Sequence, residues 1–137
     1  MTDTTFPKVW TAIAILIVAL GLAYANSFHG PFVFDDVACI VNNRSVRHLG
    51  WQALNAPPDS VSTVGRPLVN LSLAINYALG GVAVQGYHVV NLVLHILVAL
   101  TLFGLVRRTL LLPALAARFA APSTGLALSV ALLWALH

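Results

Sequence analysis

Two long uncharged apolar runs constrain this chain more than any other feature. Val9 to Ala25 and Tyr87 to Val106 contain no Asp, Glu, Lys or Arg. A helix that crosses a bilayer needs about 20 mainly apolar residues, with about 17 as the lower limit. Both runs reach it. Pro7 and Lys8 precede the first run, Pro being common where a helix begins. Trp10 and Tyr24 sit near its ends, as interfacial aromatics do. Arg107 and Arg108 close the second. The chain is 59% hydrophobic and only 8% charged, whereas a soluble domain is about a quarter charged. A disordered chain and an ordinary soluble globule are excluded. The net charge of +3, from seven Lys and Arg against four acids, is spread along the length and marks no nucleic-acid partner. The single Cys39 cannot form an intrachain disulfide.

The fold class expected is therefore all-α, a polytopic helical membrane protein. Its spans are read as 9–25, 87–106 and 124–137. The third follows Pro122 and falls short of a full crossing while still apolar at His137. We expect it to be cut, so that the chain is the N-terminal part of a longer membrane protein. A short helix dipping into the bilayer is the alternative. Positive charge sets orientation. Lys8 precedes the first span, and Arg107, Arg108 and Arg118 lie in the loop 107–123, which places both on the cytoplasmic side. The loop 26–86 holds three Arg and three Asp, is neutral, and is expected to be extracytoplasmic. Ala23-Tyr24-Ala25 also resembles a signal-peptide cleavage site. The apolar run before it exceeds the about 7–15 residues of a signal core, so a retained anchor is expected.

The loop carries the chemistry. After the turn-rich Asn26 to Pro31 comes Phe32-Val33-Phe34-Asp35-Asp36. Adjacent acids in a strand or turn point in different directions, so the two need not share one task. One could serve as a base while the other orients it or binds a metal; a solvated turn or helix cap is the plainer alternative. Asn42 to His48 reads as a turn into a short interfacial helix. Arg44 and Arg47, three apart, could share a face there and meet lipid phosphates, or simply be solvated. Asn55 to Gly65 is an irregular loop. Arg66-Pro67 then opens a helix over Leu68 to Leu79, stopped by Gly80-Gly81. Leu68, Leu71, Ile75 and Leu79 form one apolar stripe, with Asn70, Ser72, Asn76 and Tyr77 off it. Too short to span, this amphipathic helix suits the plane of the interface. Arg66 at its start is placed to hold a phosphate, or to touch ordinary lipid headgroups. Asn43-Arg44-Ser45 and Asn70-Leu71-Ser72 match the glycosylation acceptor pattern.

Within the second span His88, Asn91 and His95 share one helix face, His95 lying about 10 Å deeper than His88. Interhelical hydrogen bonding and chemistry both suit polar groups there. His88, level with the loop, and His137, at the outward end of the third span, are the candidates to line a site.

The residues also form a recognisable order: Tyr24-Ala25-Asn26-Ser27-Phe28, Gly30-Pro31-Phe32-Val33-Phe34-Asp35-Asp36, Ile40 to Asn43, Arg66-Pro67-Leu68, Asn76 to Gly81, Gly86 to Asn91 and Leu132 to His137. This order resembles the membrane part of the transmembrane and tetratricopeptide-repeat O-mannosyltransferases and their bacterial relatives, over nearly the whole chain. The resemblance implies a glycosyltransferase of the GT-C fold, which moves a sugar, mannose among the options, from a polyprenyl-phosphate donor to a protein or glycan hydroxyl outside the cytoplasm. It implies that the acidic pair, Asp35 and Asp36 here, is catalytic. Read physically, one carboxylate takes the acceptor proton as the hydroxyl attacks the anomeric carbon. The lipid phosphate leaves as an anion, with Arg66 as the candidate to stabilise it, and the single displacement inverts. Hydrolysis would need a second carboxyl role. No cofactor is required on this reading; a divalent metal at Asp35 or Asp36 stays open, although no ligand set is visible. Alone, the chain is expected to be inactive. The Ala- and Arg-rich composition suggests a bacterial inner membrane. A transport subunit using His95 and a non-catalytic scaffold are the rival readings.

Overall fold

A computed structural model describes residues 5–137. Among them every regular element is helical and no strand occurs. The described residues divide into two compact units, 5–25 with 91–137, and 26–90.

In the helical unit, α1 covers Thr5–Tyr24. A 3-10 turn, Ala25–His29, follows it. The helix α3 covers Val84–Leu110 and belongs to this unit from Asn91 on. It exceeds the expected span of 87–106 at both ends. The reason lies in the flanks: neither Val84-Gln85-Gly86 nor Arg107 to Leu110 contains a helix breaker stronger than one Gly, so the hydrogen-bond ladder continues past the apolar run. Two helices are thus long and apolar enough to cross a membrane, and the protein is a membrane protein. Beyond them α4, Pro113–Phe119, and α5, Ser123–Leu136, meet at a bend of 95°. Pro122 sits in that break, where it lacks an N–H for a continuous ladder.

Small residues allow these helices to approach. Ala127, Ala131 and Ala135, each four apart on α5, are buried against Ala12, Leu16 and Leu20 of α1 and Ala99 and Phe103 of α3. Repeated small side chains on one helix face are the usual means of close packing in lipid, where apolar burial alone drives no association. His95 belongs to this packing. Its Nε2 donates to the Ala135 carbonyl at 2.9 Å, its ring stacks on Trp134 and meets Tyr24 edge-on. The Tyr24 hydroxyl donates to the same carbonyl at 3.0 Å. His95 is a packing residue in the described structure.

The loop unit is built from short turns folded onto α2, Pro67–Gly80. A π-turn covers Val37–Val41, and 3-10 turns cover Arg44–Arg47 and Trp51–Leu54. The bounds of α2 follow the sequence: Pro67 opens it, and Gly81 ends it at φ 59°, a conformation that glycine adopts freely. Its orientation within the unit is less obvious. The inward face carries Asn70, Ala74 and Asn76, all buried, with Leu71, Leu73 and Tyr77 packed about Val46 and Ala53. From the predicted apolar stripe, Leu68 is 77% exposed and Leu79 82% exposed, Ile75 is exposed too, and only Leu71 joins the core.

Candidate functional site

The core of the loop unit contains a polar network beside its apolar cluster, and that network determines how the candidate site is held. Asn43 and Asn70 are fully buried. Asn43 Nδ2 donates to the Cys39 carbonyl at 3.0 Å and to Asn70 Oδ1 at 2.9 Å. Asn70 Nδ2 donates to Ser45 Oγ and the Ala53 carbonyl, both at 2.9 Å. Ser45 returns its N–H and hydroxyl to Asn43 Oδ1. One amide pair thus ties three turns to α2. No buried side-chain polar atom among the described residues lacks a partner, which is the condition under which a buried network stabilises. The same burial removes both glycosylation patterns from use in the folded unit, because each acceptor amide is enclosed and bonded.

The acidic pair lies just before the π-turn. Asp36 accepts the Val33 N–H through Oδ2 at 3.2 Å, while its own N–H donates to the Val33 carbonyl at 3.1 Å. This reciprocal clamp closes a tight loop, and Phe34 inside it takes φ 48°. A bulky residue in the left-handed region is strained by about 1–3 kcal/mol, and such strain persists where neighbours over-determine it. The Phe34 ring is 92% exposed. Asp35 is exposed as well and points elsewhere: its Oδ2 accepts the Ser62 hydroxyl. The two carboxylates therefore have separate roles. Asp36 is committed to the backbone, and Asp35 is held from one side by a neutral donor.

Ser62 was not singled out by the sequence. It is supplied by the 56–65 segment, which the Ser60 hydroxyl anchors to the Ala38 carbonyl at 3.2 Å and Thr63 closes onto Ser60. The only available signal was the density of hydroxyl residues in that loop.

The other sequence candidates lie apart from these contacts. Arg66 caps the start of α2 through its carbonyl, which accepts from Asn70 N at 3.1 Å. Its side chain is exposed and forms no hydrogen bond or ion pair among the described residues. His88 packs edge-on to Phe28, with Nε2 3.4 Å from the Gly30 carbonyl. Beside it Phe32 meets Tyr87 edge-on, and the Tyr87 hydroxyl donates to the Gly81 carbonyl at 2.9 Å. Gly86 is required here, since a Cβ would stand 2.9 Å from Asn76 Oδ1. Neither Arg66 nor His88 bonds to Asp35 or Asp36. His137 belongs to the helical unit, where it follows α5 and is exposed. Asn91 is exposed and makes no polar contact among the described residues.

Arg44, Arg47 and His48, with Asp59 and Pro57, line a cavity of ≈ 770 Å³. Arg47 is fixed there by its bond to the Val41 carbonyl at 2.9 Å and by the Tyr77 ring beneath it. The pair spaced three apart does share a face, because side chains at i and i+3 eclipse in a 3-10 turn. No group of three His, Cys, Asp or Glu that could hold a metal ion occurs among the described residues.

Fold and site together define a class: an all-helical membrane protein with a structured polar loop unit that presents an exposed carboxylate. The comparisons make this more particular. Over 136 residues, 92% of the chain, it is 37% identical to mouse protein O-mannosyl-transferase TMTC1. Over 103 residues it is 36% identical to mouse protein O-mannosyl-transferase TMTC4, and over 98 residues 38% identical to its Drosophila melanogaster relative Tmtc1. These are the proteins that the ordered motifs resemble. The chain spans 13% and 14% of the length of the two mouse relatives. No family model matches it, and no solved structure matches it.

Proposed function

We propose that this chain is the N-terminal part of a membrane glycosyltransferase of the GT-C type, in which Asp35 is the general base and Asp36 the residue that positions it. The similarity to protein O-mannosyltransferases across 92% of the chain carries this reading. The donor is a polyprenyl-phosphate sugar, with mannose the sugar that the relatives' names suggest, and the acceptor is a protein hydroxyl. Transfer takes place on the extracytoplasmic side, where the neutral loop unit lies by the distribution of Lys and Arg.

The division of labour between the two acids comes from their partners. A base must have a free lone pair and access to the acceptor. Asp35 is exposed and its contact is with a hydroxyl; Asp36 is engaged by the Val33 N–H. In the reaction, Asp35 takes the proton of the acceptor hydroxyl as the oxygen bonds to the anomeric carbon. The bond from that carbon to the phosphate oxygen breaks, the electron pair leaves with the lipid phosphate, and the anomeric centre inverts. Arg66, with no side-chain partner among the described residues, is available to meet the phosphate as its negative charge grows. The transport reading loses support because the His95 ring is occupied by Trp134, Tyr24 and Ala135.

The test uses the longer protein that carries this chain, in membranes with a radiolabelled polyprenyl-phosphate mannose. Asp35→Asn is expected to lower transfer at least about 100-fold, the usual worth of a positioned base. Asp36→Asn, which can still accept through its amide oxygen, is expected to lower it less. Equal transfer by wild type and Asp35→Asn at equal abundance would remove Asp35 from the chemistry. The larger loss in Asp36→Asn would exchange the two roles.

A further inference from the structure

The helical unit has a cavity of its own, of ≈ 600 Å³, lined by both Lys8 and Arg107. Lys8 lies near the start of α1, and Arg107 in the last turn of α3. Arg107 Nε donates to Thr124 Oγ1 at 3.2 Å. That bond orients the guanidinium and leaves its two terminal nitrogens available to another acceptor. Among the described residues neither cation has an acidic partner. Thr124 brings a hydroxyl to the same cavity, the Ser123 hydroxyl being spent on the Ala120 carbonyl, while Ile15 and Leu128 form an aliphatic wall.

Two cations and one hydroxyl donor would suit many anions. The aliphatic wall narrows the choice, because it belongs to a membrane helix and to the helix packed against it. A small soluble anion would leave that wall unused. A phospholipid satisfies both parts, with its phosphate on the cations and an acyl chain along the wall. We propose that this cavity binds the headgroup of an anionic phospholipid, Arg107 and Lys8 contacting the phosphate and Ile15 and Leu128 the first part of an acyl chain. The site is independent of the acidic pair and of sugar transfer. By the distribution of Lys and Arg it faces the cytoplasmic leaflet.

Gly125 lines the same cavity, and a Cβ there would meet nothing within 4 Å. A larger side chain at this position therefore has room to occupy the lipid's place with both cations intact.

The test is native mass spectrometry of the longer protein that carries this chain, purified in mild detergent, with equal amounts of phosphatidylglycerol and phosphatidylcholine. Wild type is expected to retain phosphatidylglycerol in preference. Lys8→Gln and Arg107→Gln are each expected to lower that preference about fivefold, the worth of one cation near a lipid phosphate. Gly125→Leu is expected to lower retention of phosphatidylglycerol, and millimolar inorganic phosphate to leave it unchanged. Equal retention of the two lipids by wild type, or an unchanged preference in Lys8→Gln, overturns the proposal. Displacement of the lipid by inorganic phosphate overturns it too, in favour of a small-anion site. Lys8→Gln breaks no hydrogen bond among those described, so it stays informative should Arg107→Gln fail to fold; circular dichroism reports which variants retain their helices.

Discussion

The two units of this protein bury different mixtures of side chain. In the helical unit the enclosed residues among those described are Ala12, Leu16, Leu20, Ala99, Phe103 and the alanines of α5, with Ser123 the one polar residue. In the loop unit five polar residues, Asn43, Ser60, Thr63, Asn70 and Asn76, are buried alongside Cys39, Ile40, Val46, Ala53, Ala74 and Tyr87. The difference teaches how a membrane protein stabilises a region that must stay polar. Helices with satisfied backbones need only close packing. A loop made of short turns has many unpaired carbonyls and N–H groups, and internal amides and hydroxyls supply their partners. That arrangement also holds the candidate base: the Ser60 and Thr63 bonds that fold the 56–65 segment position Ser62 beside Asp35.

The polar network of the loop unit is most vulnerable at Asn70. Asn70→Ala removes one acceptor and two donor bonds from a buried network and should destabilise the loop unit by about 3 kcal/mol. Limited proteolysis is expected to cut within 26–66 while α1 and α3 stay protected; equal protection in the variant would show that the network contributes little. The helical unit is expected to be most sensitive to size rather than polarity. Ala131→Leu adds bulk where Ala131 is fully buried between helices and should cost about 2 kcal/mol, read as a lower unfolding temperature in detergent. Ala131→Ser, nearly the same size, should be tolerated, and the reverse ranking would contradict packing by small residues. The smallest effect is expected at Phe34. Phe34→Gly relieves the φ of 48° and should stabilise the loop unit by up to about 1 kcal/mol. A loss of stability would mean that the exposed ring has a packing partner outside the described residues.

Much of the helical framework was legible in the sequence. The two apolar runs became the cores of α1 and α3, and Pro67 and Gly81 bound α2 as their backbone chemistry requires. The different directions of Asp35 and Asp36 were also legible, from their adjacency alone. Other features were not. The apolar stripe of α2 gave no sign that Asn70 and Asn76, which lie off it, are buried while Leu68 and Leu79 are exposed. A periodicity reports that a helix has two faces; which one meets the rest of the unit depends on what else is buried there. His95 suits interhelical packing on sequence, with a polar path as the rival, and its partners Trp134, Tyr24 and Ala135 are set only by the fold.

The sequence by itself determined that this is a helical membrane protein, where its long helices run, and which proteins it resembles. Those properties depend on local composition and order, since a bilayer selects for continuous apolar length and a backbone breaks at Pro and Gly. Only the tertiary structure decided that Asp36 is spent on the Val33 backbone while Asp35 meets Ser62, that Asn43 and Asn70 form a core, and that Lys8 and Arg107 line one cavity. Those properties depend on pairs of residues far apart in the chain, and hydrogen bonds and shared cavities exist only once folding has brought such residues within a few ångströms.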